Sequence, residues 1–474
     1  MANNFFYELK SYSNKPIAIE DSGSHLTLND CLDVKDRIGK LALSRGLVFC
    51  FCKNSIGAFT GYLVFLSSGI VPLLLDASKG DDIFDPLFEA YQPNYLWLPE
   101  SRSTLVSRGD VIFAFRGYVF VELNQDCVPM DKNLSLLLTT SGSTGSPKLV
   151  RLSYSNLQSN AESITEYLEI DSQDRPVTSL PMYYSYGLSV INSHVLKGAT
   201  ILLTDKSIMQ KEFWDFVSEQ RATSFSGVPY TYEMLKRLHF FRMDLPNLKT
   251  LTQAGGKLSP VLVQEFVKNA KASGKRFLVM YGQTEASPRM SYLPFEFAEE
   301  KFDTIGIVIP GGRFELVDEN GIKILEMGID GELVYYGANV SLGYAESKED
   351  LVKGDENNGV LHTGDIARRD ADGFYEITGR MKRFIKIWGN LVNLDAAEQI
   401  AKTIEPGCAC MGIDDKLTLF VSPSCKRENL LKKLSEKMGL HPSAFRIQEL
   451  TDIPKNSSGK VLYAELNKLL QETK

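Results

Sequence analysis

The most specific chemistry in this chain lies in LLLTTSGSTGSPKLVRLSYSNL, residues 136–157. An apolar run, Leu136–Thr139, reads as a buried strand that leads into Thr140, Ser141, Gly142, Ser143, Thr144, Gly145, Ser146, Pro147 and Lys148. Glycines let a backbone turn and approach an anion without a clashing Cβ. The hydroxyls and amides of such a loop donate to phosphate oxygens, and Lys148 adds positive charge. The loop is not a Walker A motif, because no Gly-Lys-Ser/Thr follows the glycines, nor is it a G-x-G-x-x-G dinucleotide fingerprint. Taken alone, a solvated Ser/Gly-rich turn competes with the phosphate reading.

Four further stretches hold reactive side chains beside glycines. Tyr281-Gly282-Gln283-Thr284-Glu285 offers a ring, a hydroxyl and a carboxylate within five residues. His362-Thr363-Gly364-Asp365 supplies an acid, and Gly373–Arg380 (GFYEITGR) ends on a base. Pro454-Lys455-Asn456-Ser457-Ser458-Gly459-Lys460 ends on a lysine. Each has an ordinary reading in isolation: a core tyrosine, a solvated Thr-Glu loop, a surface salt bridge between Asp365 and Arg380, a solvated tail lysine.

The elements that must position these residues follow from hydrophobic pattern. GLVFCFC (46–52), GIVPLLLD (69–76) and YLWLP (95–99) read as buried strands, with a helix near Ile83–Tyr91. The rhythm returns in ATILLTD (199–205), a helix over Lys211–Arg221, LKTLTQAG (248–255), a helix over Val261–Ala272, and RFLVMYG (276–282). Alternation of this kind predicts βαβ units and parallel-type sheets. From Gly306 the pattern turns to short glycine-punctuated strands, including RFELVDENGIKIL (313–325) and GELVYYG (331–337). The chain changes character again near Gly379–Arg383, and the remainder predicts a few strands and two amphipathic helices. The expected fold is therefore α/β: a large N-terminal domain, 1–379, of parallel-type sheets with helices plus a β-rich subdomain, and a small α+β C-terminal domain, 380–474.

Bulk properties narrow the partners. With 474 residues, 43% hydrophobic content and a formal charge of −7, the chain fits an ordinary multi-domain globular protein. The acidic balance argues against nucleic acid as a main partner. No basic start followed by an apolar run marks a secretory leader. Phe59–Leu75 is the most membrane-like stretch, but Ser67, Ser68, Gly69 and Pro72 interrupt it, so a core helix and a buried strand are expected and no membrane span. Cys50 and Cys52, like Cys408 and Cys410, alternate on apolar strands, and seven cysteines read as buried free thiols in a cytoplasmic protein.

Together the five motifs resemble the signatures of the adenylate-forming superfamily: acyl- and aryl-CoA synthetases, adenylation domains of nonribosomal peptide synthetases, and luciferases. They fall in the family's order from residue 139 to 460. The resemblance implies an ATP-dependent ligase that turns a small carboxylic acid into its acyl-adenylate, releases pyrophosphate, and passes the acyl group to the thiol of CoA or of an acyl carrier protein's phosphopantetheine. Transfer to an amine or hydroxyl, or a nucleotide-binding regulator without turnover, are the alternatives. It further implies that Thr140–Lys148 wraps the β- and γ-phosphates, Thr284 bonds the α-phosphate, and Glu285 binds Mg²⁺. Tyr281, Gly282, Gln283, Gly255 and Gly256 would lie against adenine, Asp365 would accept the ribose hydroxyls, and Arg380 would donate to them. Lys460 would neutralise charge growing on the carboxylate and α-phosphate, as a catalytic donor. By the same resemblance the C-terminal domain is mobile: Lys382 would sit at the family's hinge position, and Gly389 would face the thiol channel after rotation.

The acyl pocket is expected to involve Tyr183, Tyr184, Ser185, Gly187 and Gly227. Tyr183 and Tyr184 stand where several synthetases carry histidine. Ser185 stands where peptide-synthetase domains carry an aspartate for the α-ammonium, which disfavours an α-amino acid. The lining is expected from Tyr183–Leu188, the segment around Ser226–Pro229, and Gly255 to Gln283; no acid or base stands among the named pocket residues, so an acid with an uncharged chain, short aliphatic, hydroxylated or aromatic, is expected. Leu391 and Tyr463 replace arginines common in the family, and Trp388 beside Gly389 is either core or a narrowing of the channel.

Overall fold

Strand Leu47–Cys52 is buried from end to end, and its side chains alternate between two cores. Val48, Cys50 and Cys52 face one, together with Phe59, Tyr62 and Phe65; Leu47, Phe49 and Phe51 face the other, with Phe84, Leu87 and Tyr91. A strand covered on both faces needs apolar residues at every position, which is why this run reads as continuous rather than alternating. The structure, a computed structural model, describes residues 15–472 apart from 42, 128, 140–147, 389, 414, 424, 426 and 456–460.

The chain forms two compact units. The first comprises Met1–Phe302, Gly306–Arg313 and Tyr335–Leu361; the second comprises Asp303–Ile305, Phe314–Val334 and His362–Lys474. In the first unit an eight-stranded sheet runs in the order Gly343–Ala345, Leu149–Ser153, Leu134–Thr139, Val71–Asp76, Leu47–Cys52, Tyr95–Pro99, Tyr118–Glu122, Asp110–Phe115. The four strands from Leu134–Thr139 to Tyr95–Pro99 are mutually parallel, and antiparallel strands close both sides. The expected parallel core is present; the antiparallel flanks make the sheet mixed. A five-stranded sheet has three parallel strands, Ser224–Gly227, Thr250–Gln253 and Arg276–Gly282, followed by antiparallel Arg289–Tyr292 and Ile307–Val308. Strand Ile201–Leu203 pairs instead with Pro16–Glu20 in a sheet of three.

The membrane-like stretch forms helix Ile56–Ser68 and strand Val71–Asp76, both in the core. Ser55 caps the helix by accepting from Ala58 N–H, and Gly69 ends it at φ 76°. No described helix is long and apolar enough to cross a membrane.

The second unit contains a sheet ordered Arg313–Val317, Gly331–Tyr336, Val360–Arg369, Tyr375–Arg380. Within the stretch 313–325, read as short strands, the strand ends at Val317, because Asp318 accepts from the backbone N–H of Asn320 and Ile322 and turns the chain. Beyond it lie a hairpin, Phe384–Ile387 with Asn390–Asn393, and a three-stranded sheet, Ala409–Ile413, Lys416–Val421 and Phe445–Glu449. Three helices accompany them rather than the two expected: Leu394–Lys402, Arg427–Met438 and Tyr463–Glu472. The last packs Leu466 and Leu470, one turn apart, on Ala409 and Phe420.

Candidate active site

In an open α/β sheet, ligands meet the carboxyl ends of the parallel strands. Gly227, Gln253 and Val279 are aligned across the five-stranded sheet, so the segments that follow emerge at one edge. From the first comes Val228-Pro229, opening helix Pro229–Arg237; from the second come Gly255 and Gly256; from the third come Gln283, Thr284 and Glu285. Gly255 sits at φ +84°, and a Cβ there would lie 2.5 Å from the Tyr184 hydroxyl. A Cβ on Gly282 would meet the Pro288 carbonyl oxygen at 1.9 Å. Both glycines are thus required by their neighbours. The same holds at two residues assigned to the acyl pocket: the space beside Gly187 is taken by the Pro181 carbonyl, and that beside Gly227 by Thr231 and Tyr232.

Ser185 opens helix Ser185–Leu196, every residue of which is buried. Its Oγ lies 3.0 Å from Oγ1 of buried Thr284, so the wall expected to hold the acid touches the residue expected at the α-phosphate. The two tyrosines before it diverge. Tyr184 packs toward Val228 and Ala254, edge-on to Tyr186. Tyr183 packs on the other core, where burial and the Asp76 carboxylate push its phenol pKa up. Tyr281 shares a contact with Gln283, whose Nε2 lies 3.4 Å from the phenol oxygen.

Glu285 has a partner that the sequence does not advertise. Tyr344 donates to its Oε1 at 2.8 Å, and Ser341 N–H donates to its backbone carbonyl at 2.8 Å. Lys148 Nζ stands 3.9 Å from the centre of the Tyr344 ring, which links the end of the phosphate loop to the Thr-Glu turn. Burial and Glu285 together hold the Tyr344 phenol well above its ordinary pKa, so it remains a donor. Tyr344 is brought in by strand pairing, opposite Val150. A single carboxylate in this setting fits a hard divalent cation carried by a nucleotide rather than a protein cage. Among the described residues no group of three or more His, Cys, Asp or Glu forms such a cage.

In the second unit Asp365 and Arg380 face each other across paired strands. Arg380 Nε donates to Asp365 Oδ1 at 2.9 Å; the aspartate side chain is 3% exposed and the arginine 51%. Gly364, at φ +67°, turns the chain before Asp365, whose N–H donates to Thr363 Oγ1 at 3.1 Å. Lys382 lies in the 3₁₀ turn Met381–Arg383, directly after strand Tyr375–Arg380. Trp388 is 53% exposed and therefore not core. Tyr463 fills its position by donating to both oxygens of Glu398, at 2.8 and 2.9 Å. Thr140, Ser141, Gly142, Ser143, Thr144 and Gly145 of the phosphate loop, Gly389, and Lys460 lie outside the described residues.

A buried cation was also missed from sequence. Arg289, 1% exposed, lies on strand Arg289–Tyr292 with its guanidinium 4.4 Å from the Tyr186 ring centre.

The model of the AMP-binding enzyme family matches residues 93–345. Similar curated proteins include an acyl-CoA ligase of Aspergillus fumigatus, 29% identical over 70% of this chain and 60% of that protein. A long-chain-fatty-acid–CoA ligase of Escherichia coli O157:H7 is 27% identical over 74% of this chain and 64% of its own length. The chain thus spans about six-tenths of these curated relatives. Among solved structures, o-succinylbenzoate CoA synthetase from Bacillus subtilis, in complex with its acyl-adenylate intermediate, aligns over 98% of both chains with a TM-score of 0.79 and 19% identity. ATP-bound MatB from Rhodopseudomonas palustris aligns over 100% of both at 0.77 and 20%. These likenesses establish a shared architecture along the whole length. With the family model spanning more than half of the sequence, and the Thr-Glu turn and its glycines set at the carboxyl edge of the sheet, this chain belongs to the AMP-binding family of adenylate-forming enzymes.

Proposed function

We propose that this chain is an AMP-forming acid–thiol ligase. It activates a small carboxylic acid with ATP, releases pyrophosphate, and transfers the acyl group to the thiol of CoA or of a carrier-protein phosphopantetheine. The observation that carries this reading is the contact of Ser185 with Thr284, next to Glu285 with its Tyr344 and Lys148 neighbours. Attack of a carboxylate on a phosphate brings like charges together, so a site for it needs donors and cations converging on one point. Thr284 supplies a hydroxyl for the α-phosphate and Glu285 a ligand for Mg²⁺, which would offset phosphate charge when bound. Thr140–Lys148 holds the outer phosphates, Gly255, Gly256, Tyr281, Gly282 and Gln283 border the base, and Asp365 and Arg380 receive the ribose. That Asp365 and Arg380 are paired with each other means the ribose hydroxyls compete with an existing ion pair. Lys460 is assigned the catalytic contact to the reacting oxygens. Residues 380–474 form the domain that turns about Lys382 between the two half-reactions. The free buried thiols Cys31, Cys50, Cys52, Cys408 and Cys410 support a reducing, cytoplasmic setting.

Exchange of labelled pyrophosphate into ATP, across a panel of short, aromatic, fatty and amino acids, tests the first half-reaction. Acid-dependent exchange is expected, followed by thioester formation when CoA is added. ATP binding without exchange for any acid would overturn the ligase reading in favour of a nucleotide-binding regulator.

A further inference from the structure

A cavity of about 360 Å³ in the first unit runs beside helix Ser185–Leu196, and Arg289 lies on its wall with Ser226 and Thr252. The guanidinium has only neutral partners. Nε donates to Ser189 Oγ at 3.1 Å, Nη1 donates to the Tyr167 hydroxyl at 3.2 Å and contacts Met280 Sδ, and the Tyr186 ring covers one face. Among the described residues, Nη2 has no acceptor and no carboxylate lies within ion-pair distance. A buried charge without a counter-charge is costly, and the cost is recovered when an anion arrives to pair with it.

The other charged groups on this cavity are accounted for locally or lie toward its rim. Glu169 pairs with Arg276 at 2.5 Å, and Asp174 accepts from Thr223 Oγ1 at 2.8 Å and from Asp171 N–H at 3.0 Å. Lys249 and Asp171 complete the rim at the amino ends of the strands. His194 is uncharged at neutral pH: burial pushes its pKa down to about 4, and Nδ1 donates to the Val190 carbonyl at 2.8 Å. Among the described charged groups that line the cavity, Arg289 alone is fully buried; Asp174, which lies near His194, and Arg276 are partly exposed.

Helix Ser185–Leu196 acts as a ruler. Ser185 meets Thr284 at the reacting end, and Ser189, one turn further on the same face, holds Arg289. Four residues of helix rise about 6 Å. Beyond them Ser193 and His194 line the cavity.

We propose that the acid activated at this site carries a second carboxylate, set on a short spacer, which Arg289 binds in a bidentate pair about one helical turn from the reacting group. This rests on the adenylation reading and replaces the uncharged acyl chain expected from the sequence. That expectation drew on named residues among which no acid or base stood; Arg289 lies six positions past Gln283 in sequence and packs on Tyr186 and Ser189.

The test compares short dicarboxylic acids with their half-amides, which match them in size but lack the second charge. In pyrophosphate exchange the wild type is expected to favour the diacid by about 10²-fold, and Arg289→Gln to erase that ratio, as when a site built for a polar group loses its partner. Arg289→Lys, which keeps the charge but loses the fork, is expected to retain part of the ratio. Circular dichroism melts check that each variant folds; the wild-type ratio stands as a test even if Arg289→Gln does not. Calorimetry with the diacid alone reads the subsite without turnover. Exchange with monoacids but no diacid preference overturns the subsite and leaves adenylation standing. Diacid binding that depends on Arg289, with no exchange for any acid, keeps the subsite and overturns adenylation. Neither exchange nor binding overturns both.

Discussion

Replacing Tyr344 by phenylalanine isolates one hydrogen bond at the proposed metal carboxylate. The ring stays, so the contact with Lys148 at 3.9 Å is retained, while the 2.8 Å donation to Glu285 Oε1 is lost. A hydrogen bond to a charged group contributes about 1.5–3 kcal/mol. Tyr344 is 38% exposed, so water partly replaces the lost donor and the lower end applies. About 1.4 kcal/mol corresponds to a tenfold change, consistent with the smaller effects of removing a group that orients a metal ligand. The half-saturating Mg²⁺ concentration for pyrophosphate exchange, at fixed ATP, should therefore rise about tenfold in Tyr344→Phe. Tyr344→Ala, which also removes the ring beside Lys148, should weaken ATP binding as well. Because burial and Glu285 raise the phenol pKa, the donor is present below the raised value and lost only as pH climbs through it. A Tyr344→Phe enzyme with an unchanged Mg²⁺ curve, alongside a Glu285→Gln enzyme with a strongly shifted one, would refute the reasoning.

Lys460→Ala should leave ATP binding near normal and lower adenylate formation by about 10²-fold or more, while acyl transfer from supplied acyl-adenylate survives; equal loss of both half-reactions would refute the role. Lys382→Pro fixes φ and constrains Met381, so adenylation should persist while thioester formation collapses; parallel loss would show that 382 is not a selective hinge. His194 should make the fold acid-sensitive: the unfolded chain takes up a proton near pH 6.5 that the folded chain refuses until about pH 4, so stability falls as pH drops through that window. Thermal midpoints of His194→Gln between pH 4 and 7 should show a shallower acid limb than wild type, and an equally steep limb would count against a buried neutral imidazole.

The central strands were legible because burial on both faces demands unbroken apolar runs such as LVFCFC and VPLLLD. The hairpin Asp110–Phe115 with Tyr118–Glu122 went unread although VIFAF is itself an apolar run; its outer strand has no fully buried position, so the run does not mark burial on both faces. The Thr284–Glu285 turn was legible only as a motif; its geometry depends on Ser185, ninety-nine positions earlier. Tyr344 was illegible for the same reason: its role arises from antiparallel pairing with Leu149–Ser153, a contact no local pattern encodes. Arg289 reads in sequence as an ordinary charged residue after a turn. Only the register that sets Gly282 against it, on a strand between buried neighbours, takes it out of water. Gly187 and Gly227 were read as pocket residues, but neighbours take the space beside both, because sequence does not distinguish room for a ligand from room for a neighbouring backbone or side chain.

Glu398, itself 5% exposed, accepts from Arg383 at 3.1 Å, from Lys402 at 2.6 Å, from the Tyr463 hydroxyl and from the backbone N–H of Cys410 at 2.8 Å. One carboxylate thereby fastens the residue that follows Lys382 to two helices and the edge strand Ala409–Ile413. Expressed as mechanics, a hinge at Lys382, as proposed, would share none of its rotation with Arg383, whose guanidinium is held by Glu398 and the Cys410 carbonyl. Rotation at the proposed hinge would carry helix Tyr463–Glu472, tied through Tyr463 to Glu398, as the far end of a stiff lever. Angular error at such a fulcrum grows with the length of the arm, so placing a tip residue to within about 0.5 Å demands that the arm not bend. Loosening Glu398 would leave the pivot free to turn and blur where the tip arrives.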